Sequence, residues 1–399
     1  MPSPALVRPR PVHRAADLLA AYLPGSFYFA SARGSLLADG VRTTVRAGTG
    51  ARARAAAEVL DAAAVSGVEE PVVVGAIGFR PDAEASLVVP AVVRRAGANS
   101  AADVPATSFD SARWAVTPRP GPERYADAVR RALELIGEGL LDKVVLARCL
   151  ELVAGDRVAV PSLLARLVRA DPAAHAFAVD VSAPGDLAPR TLVGASPELL
   201  VSRRGGAVTA NPLAGSRPRV ADEAENRRRI AELLASEKDR HEHAHVAAQV
   251  AEVLGGFCAE LDVPAEPVVV GTPTMWHLST RITGRLADPT DPGSSSLALA
   301  EALHPTPAVC GVPVAQARAA IAELEPEDRG YYAGLVGWTG LAGDGEWVVT
   351  IRSAEVCDRT VRLFAGAGVV AGSDPAAELA ETSAKFRTLL RALGLEDAA

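Results

Sequence analysis

The sequence predicts a mixed α/β chain in which strand-rich stretches are flanked by amphipathic helices. Three observations carry this. Apolar, β-branched runs recur, as in Val72–Phe79 (VVVGAIGF) and throughout 334–372 (GLVGW, EWVVTIRSA, VRLFAGAGVV). Stretches with helical spacing of apolar residues separate those runs. The composition, 49% apolar and 22% charged, is that of an ordinary globular chain.

The elements follow in order. Ser26–Ala30 (SFYFA) reads as strand and Ala51–Ala64 as helix. Residues 96–122, rich in Ala, Ser and Pro and ending in TPRPGP, read as a loop or linker. Tyr125, Val129, Leu133 and Ile136 then mark an amphipathic helix, ended by Gly137 and Gly139. Lys143–Leu150 (KVVLARCL) is a strand, and alternation puts Lys143 on a face with Val145 and Ala147. Val193–Val201 reads as a turn carrying Glu198, followed by strand. Asn211–Arg219 (NPLAGSRPR) reads as a Pro/Gly loop whose amides could receive a carboxylate.

Residues 222–254 read as one long helix. Leu234, Lys238, Glu242, Val246 and Val250 are four apart on it, a step of about 40° at helical pitch, so Lys238 and Glu242 interrupt an apolar stripe. Such an interruption is costly unless the groups are paired or bound to a metal. Residues 267–283 hold short strands, and the last helix begins with Asp374 as N-cap and Pro375 in the first position. Glu378, Glu381 and Lys385 share a face beside the apolar stripe of Leu379, Phe386, Leu390 and Leu393, which alone reads as a charged helix edge.

The 399 residues suit two ordinary domains or one large single-core unit. A net charge of −7 with no basic run speaks against nucleic-acid binding. No apolar run reaches membrane-spanning length. Met1–Leu23 contains arginines, but its apolar patch is short and includes Asp17, so no secretory signal is expected and the placement is cytoplasmic. Cys149, Cys258, Cys310 and Cys357 are far apart without metal-ligand spacing, and are expected to be buried free thiols.

Only three lysines, Lys143, Lys238 and Lys385, stand against 38 arginines. Where arginine serves as the surface cation, a remaining lysine marks a task arginine cannot do, such as releasing a proton to act as a base. One motif competes for the same region: His241-Glu242-His243-Ala244-His245 satisfies HExxH, the zinc-hydrolase pattern. The strongly charged SEKDR before it, and the lack of a distinctive third ligand, count against zinc.

A larger set of motifs occurs in fixed order: KVVLAR (143–148), GASPELL (194–200), PLAGSRPR (212–219), SEKDRHEH (236–243), HPTPAVCG (304–311), GYYAG (330–334), TIRSA (350–354), LFAGAG (363–368) and ELAETSAK (378–385). This set resembles the chorismate-utilising enzymes, most closely the isochorismate synthases of siderophore and menaquinone pathways. The resemblance covers about residues 120–395 and contains all three lysines. It implies an α/β fold of the α+β type, with two large, mostly antiparallel sheets packed together and helices outside. Residues 1–118 would be the N-terminal part of a single large unit and 119–395 its chorismate-binding core.

The resemblance also implies the chemistry. Isochorismate synthases add water at C2 of chorismate while the C4 hydroxyl leaves. By motif match Lys143 is the general base and Glu198 the general acid, which needs a raised pKa. Glu242 and Glu381 are Mg²⁺ ligands, with Lys238, Asp239 and Glu378 around them. Arg352 and Tyr332 hold the enolpyruvyl carboxylate, and Gly215, Ser216, Gly366 and Gly368 offer backbone amides. Lys385 neutralises a carboxylate, and His304 and Ala308 of HPTPA lie near the substrate. Ammonia-using relatives usually carry Gln at the place of Lys143, and aminodeoxychorismate synthases often carry Lys where this chain has Ala214, so the nucleophile is expected to be water. Salicylate synthases share the lysine base, but their helix motif tends to read KExxEH, whereas this chain has KDRHEH. A catalytically inactive chorismate-binding paralogue is opposed by intact Lys143, Glu198, Glu242 and Glu381. The expected partners are chorismate and a downstream isochorismate-using enzyme, with no nucleic acid or membrane, and the chain is expected to be a monomer.

Overall fold

β-Branched runs that bury both faces pair into one long antiparallel ladder. In the computed structural model, which describes residues 14–83, 85–107, 114–183, 185–186 and 188–395, seventeen strands form this ladder. From one edge, Cys258–Asp262 pairs with Ile282–Leu286, then Ala207–Asn211, Leu199–Arg204, Gly345–Val349, Leu335–Gly340 and Val72–Ile77. The long strands Ala85–Ala96 and Gly34–Thr44 carry the ladder over to Phe27–Ser31 and His175–Asp180. Arg190–Ser196, Ser353–Cys357, Thr360–Val370 and Lys143–Ala154 follow, and Trp114–Arg119 and Gly311–Val312 pair with the last of these to complete it. The two expected sheets are thus two halves of one ladder that folds back on itself. Phe27, Phe29, Phe177, Val179 and Leu192 of one half pack against Val336, Val348 and Leu199 of the other. Phe27–Ser31, Gly34–Thr44, Val72–Ile77 and Ala85–Ala96 supply strands to both halves.

The expected helices form at Arg52–Val65, Pro122–Gly137 and Pro375–Leu393. Asp374 caps the last by accepting from the Ala377 amide, and Gly394 ends it in the left-handed region at φ 77°. Three readings change. Residues 222–254 are two helices, Glu223–Ala235 and Glu237–Gly255, because Ser236 turns to extended backbone and its hydroxyl accepts from the Asp239 amide. Lys238 and Glu242 therefore lie in the first turns of a new helix, not midway along one stripe. Asn211–Arg219 is not a free loop: Leu213–Pro218 is a strand, paired with Met275–Ser279, which also pairs with Val268–Gly271 in a separate three-stranded sheet. Within 96–122, Trp114–Arg119 is an edge strand on Lys143–Ala154, while 108–113 lie outside the described residues.

The thiols are free, but only Cys149 and Cys310 are buried and the other two are half-buried. Among the described residues no helix is long and apolar enough to cross a membrane. Residues 1–13, most of the stretch read as lacking a secretory signal, lie outside those described.

Candidate active site

The cleft forms where both edges of the last ladder strands meet two helices and the small sheet. Lys143 opens its strand opposite Val370, so Val145 and Ala147 face Gly368 and Gly366 across the ladder. The other edge is tied down beyond the two-residue pairing with Gly311–Val312. The Val145 amide donates to Cys310 O (2.7 Å) and the Ala147 amide to Glu325 Oε1 (2.8 Å). Arg329, buried against Glu325, donates to Val145 O (2.7 Å). A strand held on both edges fixes the lysine at its start.

The three lysines each meet one glutamate. Lys143 Nζ lies 2.9 Å from Glu242 Oε1, Lys238 Nζ 2.6 Å from Glu378 Oε1, and Lys385 Nζ 2.6 Å from Glu381 Oε1. Lys385 also donates to Gly366 O (2.8 Å). The Lys143 contact is an ion pair with poor hydrogen-bond alignment, and its fully buried Nζ has no aligned acceptor among the described residues. The apparent charged helix edge of Glu378, Glu381 and Lys385 is therefore turned inward, with Glu378 only 1% exposed.

Each carboxyl responds to this setting. Burial opposes ionisation of Glu381, but Lys385 and Lys238 outweigh it and hold its carboxyl below the usual range. Burial and the Glu381 charge push Glu378 up. Glu198 sits at the turn between Arg190–Ser196 and Leu199–Arg204, 2% exposed, its amide bonded to Ser196 Oγ (3.2 Å). Burial raises its pKa to about 7, against the opposing pull of the Leu213 amide and the charges of Lys143, Arg352 and Lys385.

Glu198, Gly215, Ser216, Glu242, Ala308, Tyr332, Arg352, Gly366, Gly368, Glu381 and Lys385 line one cleft. Lys143 touches it through Glu242 and is not itself among the lining residues. A Cβ at Gly368 would lie 2.3 Å from Glu242 Oε1, so only glycine lets that carboxylate approach the strand. Gly215 is a bulge at φ 74°, packed on Asp239, whose carboxylate accepts from both Arg217 terminal nitrogens (3.3 and 2.7 Å). That pairing occupies Asp239, which is absent from the lining. His304 also stands off the cleft, bonding Ala333 O through Nε2 (2.8 Å) and packing edge-on against Phe79.

Reading the sequence missed His277. It lies in the cleft wall on Met275–Ser279, and its Nε2 accepts from Arg352 Nη2 (3.3 Å). Burial and the Arg352 and Lys385 charges hold its pKa well below the ordinary value, so the ring is the neutral acceptor an orienting role needs. Its signal was a lone histidine inside an apolar strand. Arg352 adopts φ 51°, a conformation that costs about 1–3 kcal/mol and gathers at functional sites. Its backbone is held by the Ala195 amide donating to its carbonyl (3.1 Å).

A cation fits the donor set. Glu242 and Glu381 both line one cleft and offer the hard carboxylate oxygens that a hard divalent cation takes. Among the described residues no three His, Cys, Asp or Glu side chains gather into a closed cage. The two HExxH histidines do approach each other, with His241 Nε2 3.2 Å from that of His245, but among the described residues no third His, Cys, Asp or Glu joins them, His241 is exposed, and Glu242 turns to Lys143. His243 is buried against Thr280 Oγ1 (2.7 Å).

A buried carboxyl of raised pKa, and two further carboxylates each against a lysine, thus meet inside a back-folded antiparallel ladder. Residues 69–394 match the chorismate binding enzyme family, and the chain belongs to it. It is 48% identical to the isochorismate synthase DhbC of Bacillus subtilis, over 96% of this chain and 97% of that one. It is 40% identical to the vibriobactin-specific isochorismate synthase of Vibrio cholerae, over 93% and 92%. The crystal structure of a putative 2,3-dihydroxybenzoate-specific isochorismate synthase, DhbC from Bacillus anthracis, superposes with a TM-score of 0.91 at 45% identity, covering 96% of this chain and all of that one.

Proposed function

We propose that the chain is an isochorismate synthase, an isomerase that converts chorismate to isochorismate with Mg²⁺, in siderophore or related metabolism. The observation that carries the reading is Glu198, a buried carboxyl whose proton is retained to about pH 7, in a cleft walled by Glu242 with Lys143 against it. A carboxyl that keeps its proton and an amine beside the same cleft wall are the acid and base that moving one hydroxyl requires.

Lys143 takes a proton from the water that adds at C2. Glu198 gives its proton to the C4 oxygen, which leaves as water while the double bonds shift. The atoms balance: one water enters and one departs, and the two side chains exchange a proton to begin again. Arg352, oriented by His277, and Tyr332 hold the enolpyruvyl carboxylate. Glu242 and Glu381 would hold the magnesium, which supplies positive charge for the ring carboxylate that bare glutamates would repel. Glu378 and Lys238 set the charge around that pair.

Ala214 and Lys143 favour water over ammonia as nucleophile. Chromatography of the products from chorismate with Mg²⁺ tests the whole reading. Isochorismate is expected; salicylate with pyruvate would assign a salicylate synthase, and no turnover would leave a binding protein.

A further inference from the structure

The cleft leaves only about 50 Å³ of free volume, room for one or two waters. A second cavity of about 420 Å³ lies beside it, and Pro197 and Arg352 line both. Its walls come from the helix Val160–Ala170, the C-terminal turns of Pro375–Leu393 and the turn at Thr272–Thr274. Three arginines besides Arg352 line it: Arg166, Arg169 and Arg391.

These arginines serve backbone carbonyls. Arg166 donates to Thr107 O and Arg391 O (both 3.0 Å), Arg169 to Val104 O (2.6 Å) and Arg391 to Pro273 O (3.5 Å). Carbonyl bonds place a guanidinium without cancelling its charge, and no carboxylate among the described residues forms an ion pair with any of the three. Asp171 is the one carboxylate among the lining residues, and its Oδ1 is taken by the Ala173 and Ala174 amides (both 3.2 Å). Among the described residues the guanidiniums of Arg166, Arg169, Arg352 and Arg391 outnumber the single Asp171 carboxylate, so the described lining is net positive, with an apolar wall that includes Leu167, Ala195 and Pro273. A positive concavity with low-dielectric walls concentrates anions and raises their rate of arrival.

We infer that this chamber is the approach route and outer binding site for the dicarboxylate substrate, which passes Arg352 to enter the cleft. The inference rests on the reading that the cleft takes chorismate. Arg352 and Pro197 are the residues common to chamber and cleft, whereas Glu242 lines the cleft alone. A substrate arriving there presents its ring inward and leaves its unreacting enolpyruvyl carboxylate next to the chamber's arginines.

The test pairs a charge-removing variant, Arg169→Gln with Arg391→Gln, with a plugging variant, Ala170→Trp, whose position is exposed so that the added ring needs no core space. Steady-state kinetics with chorismate and Mg²⁺ are measured from low to high salt, with circular dichroism to confirm folding. The charge variant should lose roughly 10-fold in kcat/KM at low salt with kcat little changed, and its kcat/KM should fall less steeply with salt than the wild type's. Ala170→Trp should lower kcat/KM at all salt concentrations. Wild-type kcat/KM and salt dependence in both variants, or a loss confined to kcat, would overturn the route. An inactive wild-type enzyme would instead defeat the functional reading.

Discussion

Replacing Glu198 by Gln should make the protein more stable and the enzyme far slower. In the unfolded chain this carboxyl titrates near 4.5, whereas in the fold burial raises it to about 7. Between those values the folded state holds a proton that the unfolded state has lost. Stability from this group is therefore fully present below about pH 4.5 and is lost as pH rises toward 7, by about 1.4 kcal/mol per unit. Over that interval the loss is about 3 kcal/mol. Glutamine keeps the shape and an oxygen that can accept from the Leu213 amide, yet never ionises. Urea unfolding of both proteins in EDTA across this pH range should show the advantage of Glu198→Gln growing with pH and levelling off above about 7. Turnover should fall by about 10²–10⁴-fold, because glutamine has no proton to give the leaving hydroxyl. The wild-type kcat/KM should itself decline as pH rises through about 7. A stability difference that stays flat with pH would refute the retained proton, and near-normal turnover by the variant would refute the acid.

Lys143→Arg should fail almost as badly as Lys143→Ala, about 10²–10⁴-fold in kcat, since arginine keeps the charge but does not deprotonate; an Arg variant with most of the wild-type rate would show that the lysine only attracts substrate. Gly368→Ala should push the Glu242 carboxylate away, because the new Cβ would lie 2.3 Å from Oε1; we expect about 10²-fold lower activity and weaker Mg²⁺ response at nearly unchanged melting temperature. Activity should vanish in EDTA and return with Mg²⁺ but not with Zn²⁺ alone. His241→Ala and His245→Ala should retain most of it, whereas loss of metal binding in both while folded would restore the HExxH reading.

Much of the local structure was legible because its causes are local. Asp374-Pro375 announces a helix start, since a carboxylate acceptor and a fixed φ act within one turn. The apolar run VVVGAI announces a strand buried on both faces. Ser236 reads as helix interior because the residues on both sides of it favour helix; its hydroxyl capping the Asp239 amide marks the break, and the second helix packs against the Leu213–Pro218 strand. Asn211–Arg219 looked like a loop because its prolines and glycines punctuate most chains. Pairing with Met275–Ser279, far along the sequence, made it a strand, with the glycine absorbed as a bulge.

The candidate site divides in the same way. Residue type and rarity singled out Lys143, Lys238 and Lys385, and ordered motifs singled out Glu198, Glu242, Glu378 and Glu381, because the chemistry of a side chain is written in its identity. Which lysine meets which glutamate was not written there. Lys238 and Glu378 lie 140 residues apart, and they meet only because the helices that carry them both pack on Thr360–Val370 and Leu213–Pro218. The same non-local packing excludes His304 from the cleft, occupies Asp239 with Arg217 and brings His277 to Arg352. Burial, which raises Glu198 to about 7, belongs to the assembled core alone: the sequence by itself determined which groups could do the chemistry, and the tertiary structure decided their partners and their protonation, because desolvation and charge pairing arise only when distant segments close around them.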